Sequence, residues 1–397
     1  MSHVPSSYKQ TEIGVIPEDW DVHTLGEAAE FLDGRRRPVK DSERAKMRGI
    51  YPYYGASGIV DYVNDYLFDE DLILLGEDGE NILSRNSRLA FQVSGKIWVN
   101  NHAHVLRPKA GFDIVFLAEY LESLDYAQYN TGTAQPKLNK NVCTRIPIAV
   151  PTEAEQRAIA DALADVDDLL AALDRLIAKQ RALKTAAMQQ LLTGRQRLPG
   201  FTAPWETKRI REIADVDPEN LSSDTNPDYS FKYISLEDID TGTLLGYTEQ
   251  IFRTAPSRAR RKLRKGDVLV STVRPNLKSH LLIRDDVIDT VCSTGFSVVR
   301  CRAAIADPAY VYFHLFADGI ERQIESLLTG SNYPAINSGD VKALQIPYPP
   351  PDEQTAIAAV LSDMDAAIAA LEARRAKTLA VKQGMMQALL TGRTRLR

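Results

Sequence analysis

Two imidazoles, His102 and His104, would share one face of a strand, where they could begin a metal site. A metal needs further ligands, and none recurs nearby in the sequence. An Asn100-Asn101-His102 turn leading into a core strand accounts for them better. Asn226-Pro227-Asp228-Tyr229 has the outline of an amino-methyltransferase tetrapeptide. Its third residue is aspartate and no cofactor motif lies beside it, so it reads as a turn. Pro227-Asp228 followed by Glu237-Asp238-Ile239 lacks the lysine of a nuclease site. There is no GxxxxGK[ST] phosphate loop and no glycine-rich turn of dinucleotide type, so ATP hydrolysis by this chain is not expected. Cys143, Cys292 and Cys301 form no CxxC pair, which leaves neither a disulfide framework nor a zinc knuckle. They are expected to be buried small apolar residues.

The cations carry more information. Over 397 residues the formal charge is −5, so attraction to nucleic acid must be local. Arg35, Arg36 and Arg37 form one cluster. Arg258, Arg260, Arg261, Lys262, Arg264 and Lys265 form another. Each suits phosphate contacts, and each is equally readable as a solvated charged loop. Ser271 to Lys278 leaves a strand and carries Arg274, Asn276 and Lys278; arginine can read guanine, and asparagine adenine, in the major groove. Two Thr-Gly loops, Thr131–Asn139 and Thr329–Asn337, present different polar side chains on one frame. The first offers Thr133, Gln135 and Lys137; the second offers Ser331, Asn332 and Tyr333. Two readers of different DNA sequences would look like this, and so would two drifted surface loops.

The elements that position these residues include a repeat. Glu155-Gln156 through Leu191-Leu192-Thr193-Gly194-Arg195 recurs as Glu353-Gln354 through Leu389-Leu390-Thr391-Gly392-Arg393, at a constant separation of 198 residues. Each copy predicts one long helix. Ile159, Leu163, Val166, Leu170, Leu173 and Ile177 recur in steps of four and three, the narrow seam of a coiled coil. Ile357, Leu361, Met364, Ile368 and Leu371 match them. This second seam is interrupted at Arg374-Arg375 and is expected to resume at Leu379, Met385 and Leu389. Thr152 and Asp352 are expected N-caps, and Gly194 and Gly392 expected C-terminal glycines. A helix of roughly 40 residues is about 60 Å long. Two such rods in one chain could pair with each other or dimerise between chains; both copies being in one polypeptide favours the internal antiparallel pair.

Outside the rods, short apolar runs such as Leu72–Leu75, Ile97–Val99 and Asp267–Val270 lie between turn residues and predict strands. Helices are expected around Phe116–Leu124 and over Ala309–Leu328. The fold class is therefore α+β: two α/β domains separated by two long helices forming an intramolecular antiparallel coiled coil, with pseudo-twofold character. The expected divisions are 1–150, 151–199, 200–350 and 351–397. Between the shared anchors the two α/β blocks do not align. With 44% hydrophobic and 25% charged residues, the composition is that of an ordinary soluble protein. No run is long enough to span a bilayer, so a cytoplasmic location is expected.

Taken together, the duplicated Glu-Gln…Leu-Leu-Thr-Gly helices, the Thr-Gly-x-x-x-Pro-x-[Leu/Ile]-Asn loops, Ile16-Pro17-Glu18-Asp19-Trp20 and Asn100–Leu106 resemble the specificity subunit of a type I restriction–modification system. The resemblance covers essentially the whole chain. It implies two target-recognition domains, each binding half of a split, asymmetric site on double-stranded DNA. It also implies helices that act as a spacer and dock two methyltransferase subunits, with restriction–translocase subunits completing the complex. The chain itself would hold no cofactor and perform no catalysis; S-adenosylmethionine, ATP and magnesium would serve the partners. Base-contacting residues do not carry over, because the recognition domains are the family's variable part. The competing class is a coiled-coil scaffold that touches no DNA.

Overall fold

The computed structural model describes residues 7–328 and 334–396. They form two compact units. The first comprises Met1–Asp174 with Ala373–Arg397, and the second Arg175–Glu372. The first long helix, Glu153–Leu191, and the second, Pro351–Leu389, each contribute one part to each unit.

In the first unit, the strands Ala29–Phe31, Ala103–Pro108, Leu72–Gly76 and Ala90–Val93 lie side by side in that order, all antiparallel. Leu72 to Leu75 is buried throughout, because this sheet is covered on both faces. A second sheet orders Gly58–Val63, Arg48–Gly55, Lys96–Val99 and Phe68–Asp69, with one parallel pair, Arg48–Gly55 beside Lys96–Val99. The helix Ile114–Ser123 is capped by the Asp113 carboxylate, which accepts from Val115 N and Phe116 N, both at 2.9 Å.

The second unit repeats this plan. One sheet orders Ala214–Val216, Phe296–Cys301, Asp267–Ser271 and Leu281–Leu282; the other orders Thr248–Ile251, Ser230–Ile234, Thr290–Ser293 and Ala259–Lys262, again with one parallel pair at its centre. Asp307 caps Pro308–His314 as Asp113 caps its helix. The helix expected over Ala309–Leu328 is two helices, Pro308–His314 and Asp318–Leu327, with Leu315–Ala317 turning between them. Both Leu315 and Ile320 are buried, and the turn aims both into one core.

The Glu-Gln pair of each long helix ties these parts together. Gln156 Oε1 accepts from Asp113 N at 2.8 Å, and Gln354 Oε1 from Asp307 N at 3.1 Å. Glu155 accepts from the Trp20 indole at 3.1 Å and from Arg395 at 2.7 Å. Glu353 receives the same two partners in the second unit, Trp205 at 3.0 Å and Arg197 at 2.6 Å. Gly194 and Gly392 have φ of 68° and 69°, as helix-ending glycines do. A Cβ on Gly392 would lie 2.4 Å from the Pro17 ring, so the turn also needs glycine for space.

Within each unit the two rods run antiparallel. Asp174 pairs with Arg375 and Asp167 with Lys382 in the first; Lys184 pairs with Asp365 and Arg181 with Glu372 in the second. Ile159, Leu163, Leu170, Leu173, Ile177, Ile357, Leu361 and Ile368 are buried along the seam. Two expectations are corrected. Asp352 is not an N-cap: the second helix begins at Pro351, whose missing N–H suits the first position, and Glu353 N and Gln354 N donate to Pro350 O. Leu379 does not resume the seam. It is 40% exposed, and the buried residue in that stretch is Lys382, held by Asp167 at 2.7 Å and Glu119 at 3.1 Å.

Candidate nucleic-acid interface

The first Thr-Gly loop closes on itself. Asn130 Oδ1 accepts from Gly132 N at 2.9 Å and Lys137 N at 2.8 Å, while Thr131 N and Oγ1 donate to Lys137 O. A Cβ on Gly132 would sit 1.8 Å from the Gln135 carbonyl oxygen, so only glycine permits this closure. Thr133 and Gln135 are exposed near its tip. The stem is zipped to the chain leaving the strand Leu72–Gly76: Leu138 N donates to Glu77 O at 2.7 Å and Gly79 N to Pro136 O at 3.0 Å. Lys137 Nζ lies 3.2 Å from Glu77.

In the second unit Ile336 N donates to Thr272 O at 2.9 Å and Arg274 N to Pro334 O at 2.8 Å, with Val273 bridged to Ala335. Arg274 thus takes the place that Gly79 has in the first unit. The structure therefore brings Arg274 beside the stem of the second Thr-Gly loop, with Asn276 and Lys278 on the turn that follows it; Ser331, Asn332 and Tyr333 lie outside the described residues. Arg274 and Lys278 have φ of 49° and 54°, flanking the single turn Pro275–Leu277. Such left-handed residues cost about 1–2 kcal/mol each, so the loop's shape is imposed by its surroundings. Part of that support is His280, whose Nδ1 accepts from Ser271 N at 3.1 Å. Burial, reinforced by the neighbouring Lys278, holds the His280 ring down at about 4, so it stays neutral and able to accept. Asn276 is exposed, and Lys278 pairs with Glu321 at 2.9 Å.

The basic clusters divide inward and outward. Arg37, Arg258 and Lys262 are exposed with no side-chain partner among the described residues. Arg35 lies over the Phe68 ring and donates to Leu67 O at 2.8 Å. Arg260 lies over Phe252. Arg36 turns inward, 13% exposed, donating to Glu77 at 2.6 Å and Ala103 O at 2.7 Å. Arg261 does the same, meeting Asp217 at 3.0 Å and Asn220 at 3.2 Å. Cluster membership placed Arg36 and Arg261 among the DNA-facing residues; the structure commits both to internal carboxylates. The alternation follows from strand geometry, since Arg261 and Lys262 are neighbours on the strand Ala259–Lys262 and point to opposite faces.

His102 and His104 part company. His102 precedes its strand and meets Asp78 at 2.9 Å. His104 is buried, with Nδ1 2.7 Å from Asp33 and Nε2 2.8 Å from Leu138 O. A carboxylate and a carbonyl oxygen can only accept, so both ring nitrogens carry hydrogen and the ring is a cation. Burial opposes that charge, but Asp33 and Cys143 outweigh it and raise His104 to about 10. Among the described residues, no three of His, Cys, Asp and Glu gather at metal-ligand range. Asn226 Oδ1 accepts from Asp228 N at 2.9 Å, the expected turn. Cys143 and Cys292 are buried and Cys301 half-buried; burial raises the thiols of Cys292 and Cys301, the latter to about 12.

Sequence reasoning missed the carboxylates Asp33, Glu77 and Asp217. Apart from Arg36, three residues from Asp33, nothing local marks them: Glu77 meets Arg36 across 41 residues, Asp33 meets His104 across 71 and Asp217 meets Ser338 across 121. It also missed a stripe on the first long helix: Leu169, Leu176 and Leu183, one heptad apart, are 40%, 40% and 47% exposed. No described helix is long and apolar enough to cross a membrane.

A family model for the type I restriction modification DNA specificity domain matches residues 17–180 and 203–380. A putative type I restriction enzyme specificity subunit from Haemophilus influenzae is 37% identical over 135 residues, so the match spans about a third of either chain (34% of each). The MjaVIII specificity subunit of Methanocaldococcus jannaschii is 22% identical over 413 residues, covering 96% of this chain and 94% of that one. The solved S subunit from M. genitalium shares the fold, with a TM-score of 0.62 at 14% identity, over 93% of this chain and 96% of that one. So does a chain from a study of assembly and conformational transition in the type I R-M system, with a TM-score of 0.55 at 18% identity over 96% and 99%. With two specificity domains matched over most of its length, this chain belongs to the type I restriction–modification DNA specificity family.

Proposed function

We propose that the chain is the DNA-reading subunit of its complex, each unit recognising one half of a split, asymmetric site on double-stranded DNA. The observation that carries this reading is the shared frame. In both units the stem after a Thr-Gly loop is zipped to the chain leaving a buried strand, and the two loop sequences carry unlike side chains. Arg274 and Asn276 suit base edges, as do Thr133 and Gln135; Lys137 stands at the first stem and Lys278 at the end of the Pro275–Leu277 turn. Arg35, Arg37, Arg258, Arg260 and Lys262 suit phosphates, which position without specifying.

Leu176 and Leu183, exposed one heptad apart on the first long helix within the second unit, support docking of a methyltransferase helix there; the resemblance implies a second methyltransferase subunit, with restriction–translocase subunits joining them. On this reading the chain is non-catalytic and cytoplasmic. S-adenosylmethionine, ATP and magnesium serve the partners, and target adenines are flipped into the methyltransferase pocket. Leu176→Asp is expected to abolish co-purification of the methyltransferase.

The test is a gel shift of the chain with its methyltransferase on a duplex containing a genomically methylated site and on a scrambled duplex. Preference for the first is expected. Binding to neither would favour the scaffold reading.

A further inference from the structure

We infer that Asp33 and Asp217 are positioning residues for half-site discrimination, each tying the chain that leaves one Thr-Gly loop to its own unit's sheet. This rests on the DNA-reading proposal and assigns its precision to two side chains that cannot touch DNA themselves.

The two carboxylates are equivalent in structure but not in sequence. Asp33 Oδ1 accepts from Val105 N at 3.0 Å, and Asp217 Oδ1 from Val298 N at 2.8 Å. Val105 and Val298 sit at matching places on the second strand of matching sheets, paired with Leu74 and Leu269. The other oxygen of each carboxylate reaches toward the chain leaving the Thr-Gly loop. Asp33 does so through His104, which donates onward to Leu138 O. Asp217 does so directly, accepting from Ser338 Oγ at 2.5 Å, while Ser297 Oγ stands 3.0 Å from the same hydroxyl. Ser297 occupies the place of His104, one residue before the valine.

An arginine from the basic cluster completes each site. Arg36 lies 3.6 Å from Asp33 and bonds Glu77, which also holds Lys137 of the loop stem. Arg261 lies 3.0 Å from Asp217. In both units one carboxylate therefore joins a framework strand and a basic-cluster arginine to the chain leaving the loop, directly through Ser338 in one and through His104 in the other. Hydrogen bonds within a low-dielectric site are strong and directional, so a stem anchored this way loses little freedom on binding. Burial alone would raise the Asp33 carboxyl; His104, Val105 and Arg36 hold it below its ordinary range, so it stays charged. The two units reach the same connection with different chemistry, an imidazolium in one and a hydroxyl in the other.

The experiment uses the full chain assembled with its methyltransferase subunits. Binding is measured on the duplex carrying the mapped methylated site and on duplexes with single base changes in either half. Asp33→Asn and His104→Gln are expected to reduce discrimination about ten-fold at one half-site and leave the other unchanged. Ser338→Ala is expected to do so at the opposite half-site, and Ser338→Thr, which keeps the hydroxyl, to retain discrimination. Ser338 is half-buried, so this arm stands even if Asp33→Asn fails to fold. Equal loss of affinity for correct and altered duplexes, with the ratio unchanged, would overturn the inference. So would relaxation of the same half by Asp33→Asn and Ser338→Ala. Absence of preference in the unsubstituted complex would overturn the DNA-reading proposal itself, a distinguishable result.

Discussion

The indole of Trp205 donates to Glu353 at 3.0 Å across 148 residues of sequence. Glu353 is wholly buried, and Arg197 stacks near the same indole while bonding the same carboxylate. Glu353→Gln keeps the shape and removes the charge. It is expected to destabilise the second unit by about 2 kcal/mol, the scale of a hydrogen bond to a charged group. Glu155→Gln should act alike on the first unit. Denaturant titration with separate probes in the two units checks both.

Lys382 gives a sharper test of burial against exposure. Its ammonium lies between Asp167 and Glu119, and only 7% of the side chain is exposed. Lys382→Met leaves buried Glu119 with Arg88 alone, at an expected cost of about 3 kcal/mol. Adding Glu119→Gln should recover most of the loss. The exposed pair Arg375–Asp174 should matter far less, since water screens it. Urea midpoints of the variants decide the order.

The repeated rods were legible because their seams, end glycines and 198-residue separation are written in apolar spacing and backbone needs. Lys382 was not, because a long-chain cation at a seam position looks like a solvated one until its two carboxylates are seen. The same limit hid Asp33 and Asp217. Beyond Arg36, their partners come from other strands and from the start of a helix, and pairing at that distance leaves no local signature. It also explains why Arg36 and Arg261 read as surface charge: a cluster announces cations but not which of them face inward. The Thr-Gly loops were found from sequence, whereas their junction with Glu77–Gly79 and Thr272–Arg274 needed the fold.

The histidines of the two units respond to pH in opposite directions. His104 is raised to about 10 from an ordinary value near 6.5. Its contribution is full below pH 6.5 and is lost as pH rises toward 10. His280 and His314 are lowered by burial to about 4 and about 3, so theirs is full above pH 6.5 and lost as pH falls through 6.5 toward those values. The stability gap between the unsubstituted protein and His104→Gln is expected to shrink from pH 6.5 to pH 10. Melting curves over that range, followed in the first unit, test it; a constant gap would show that the ring is neutral.

Rod length should set the spacing between half-sites. One helical turn inserted between Asp174 and Arg175, with another between Glu372 and Ala373, falls at the unit boundaries and leaves each unit's own contacts intact. About 5.4 Å per turn against 3.4 Å per base pair predicts a spacer longer by about one or two base pairs, with both half-sites unaltered. Mapping methylated adenines in cells carrying the insertion reads this out. Altered half-sites with the old spacing would rule the idea out.

The first unit takes Glu155 from one end of a rod and Arg395 from far along the polypeptide, 240 residues later, whereas the second unit is one uninterrupted stretch. During synthesis the ribosome delivers everything the second unit needs before the strands of the first have met their closing partner. The Trp20 pocket must therefore wait, open, for the second rod to emerge. Chaperone demand should fall on that interval.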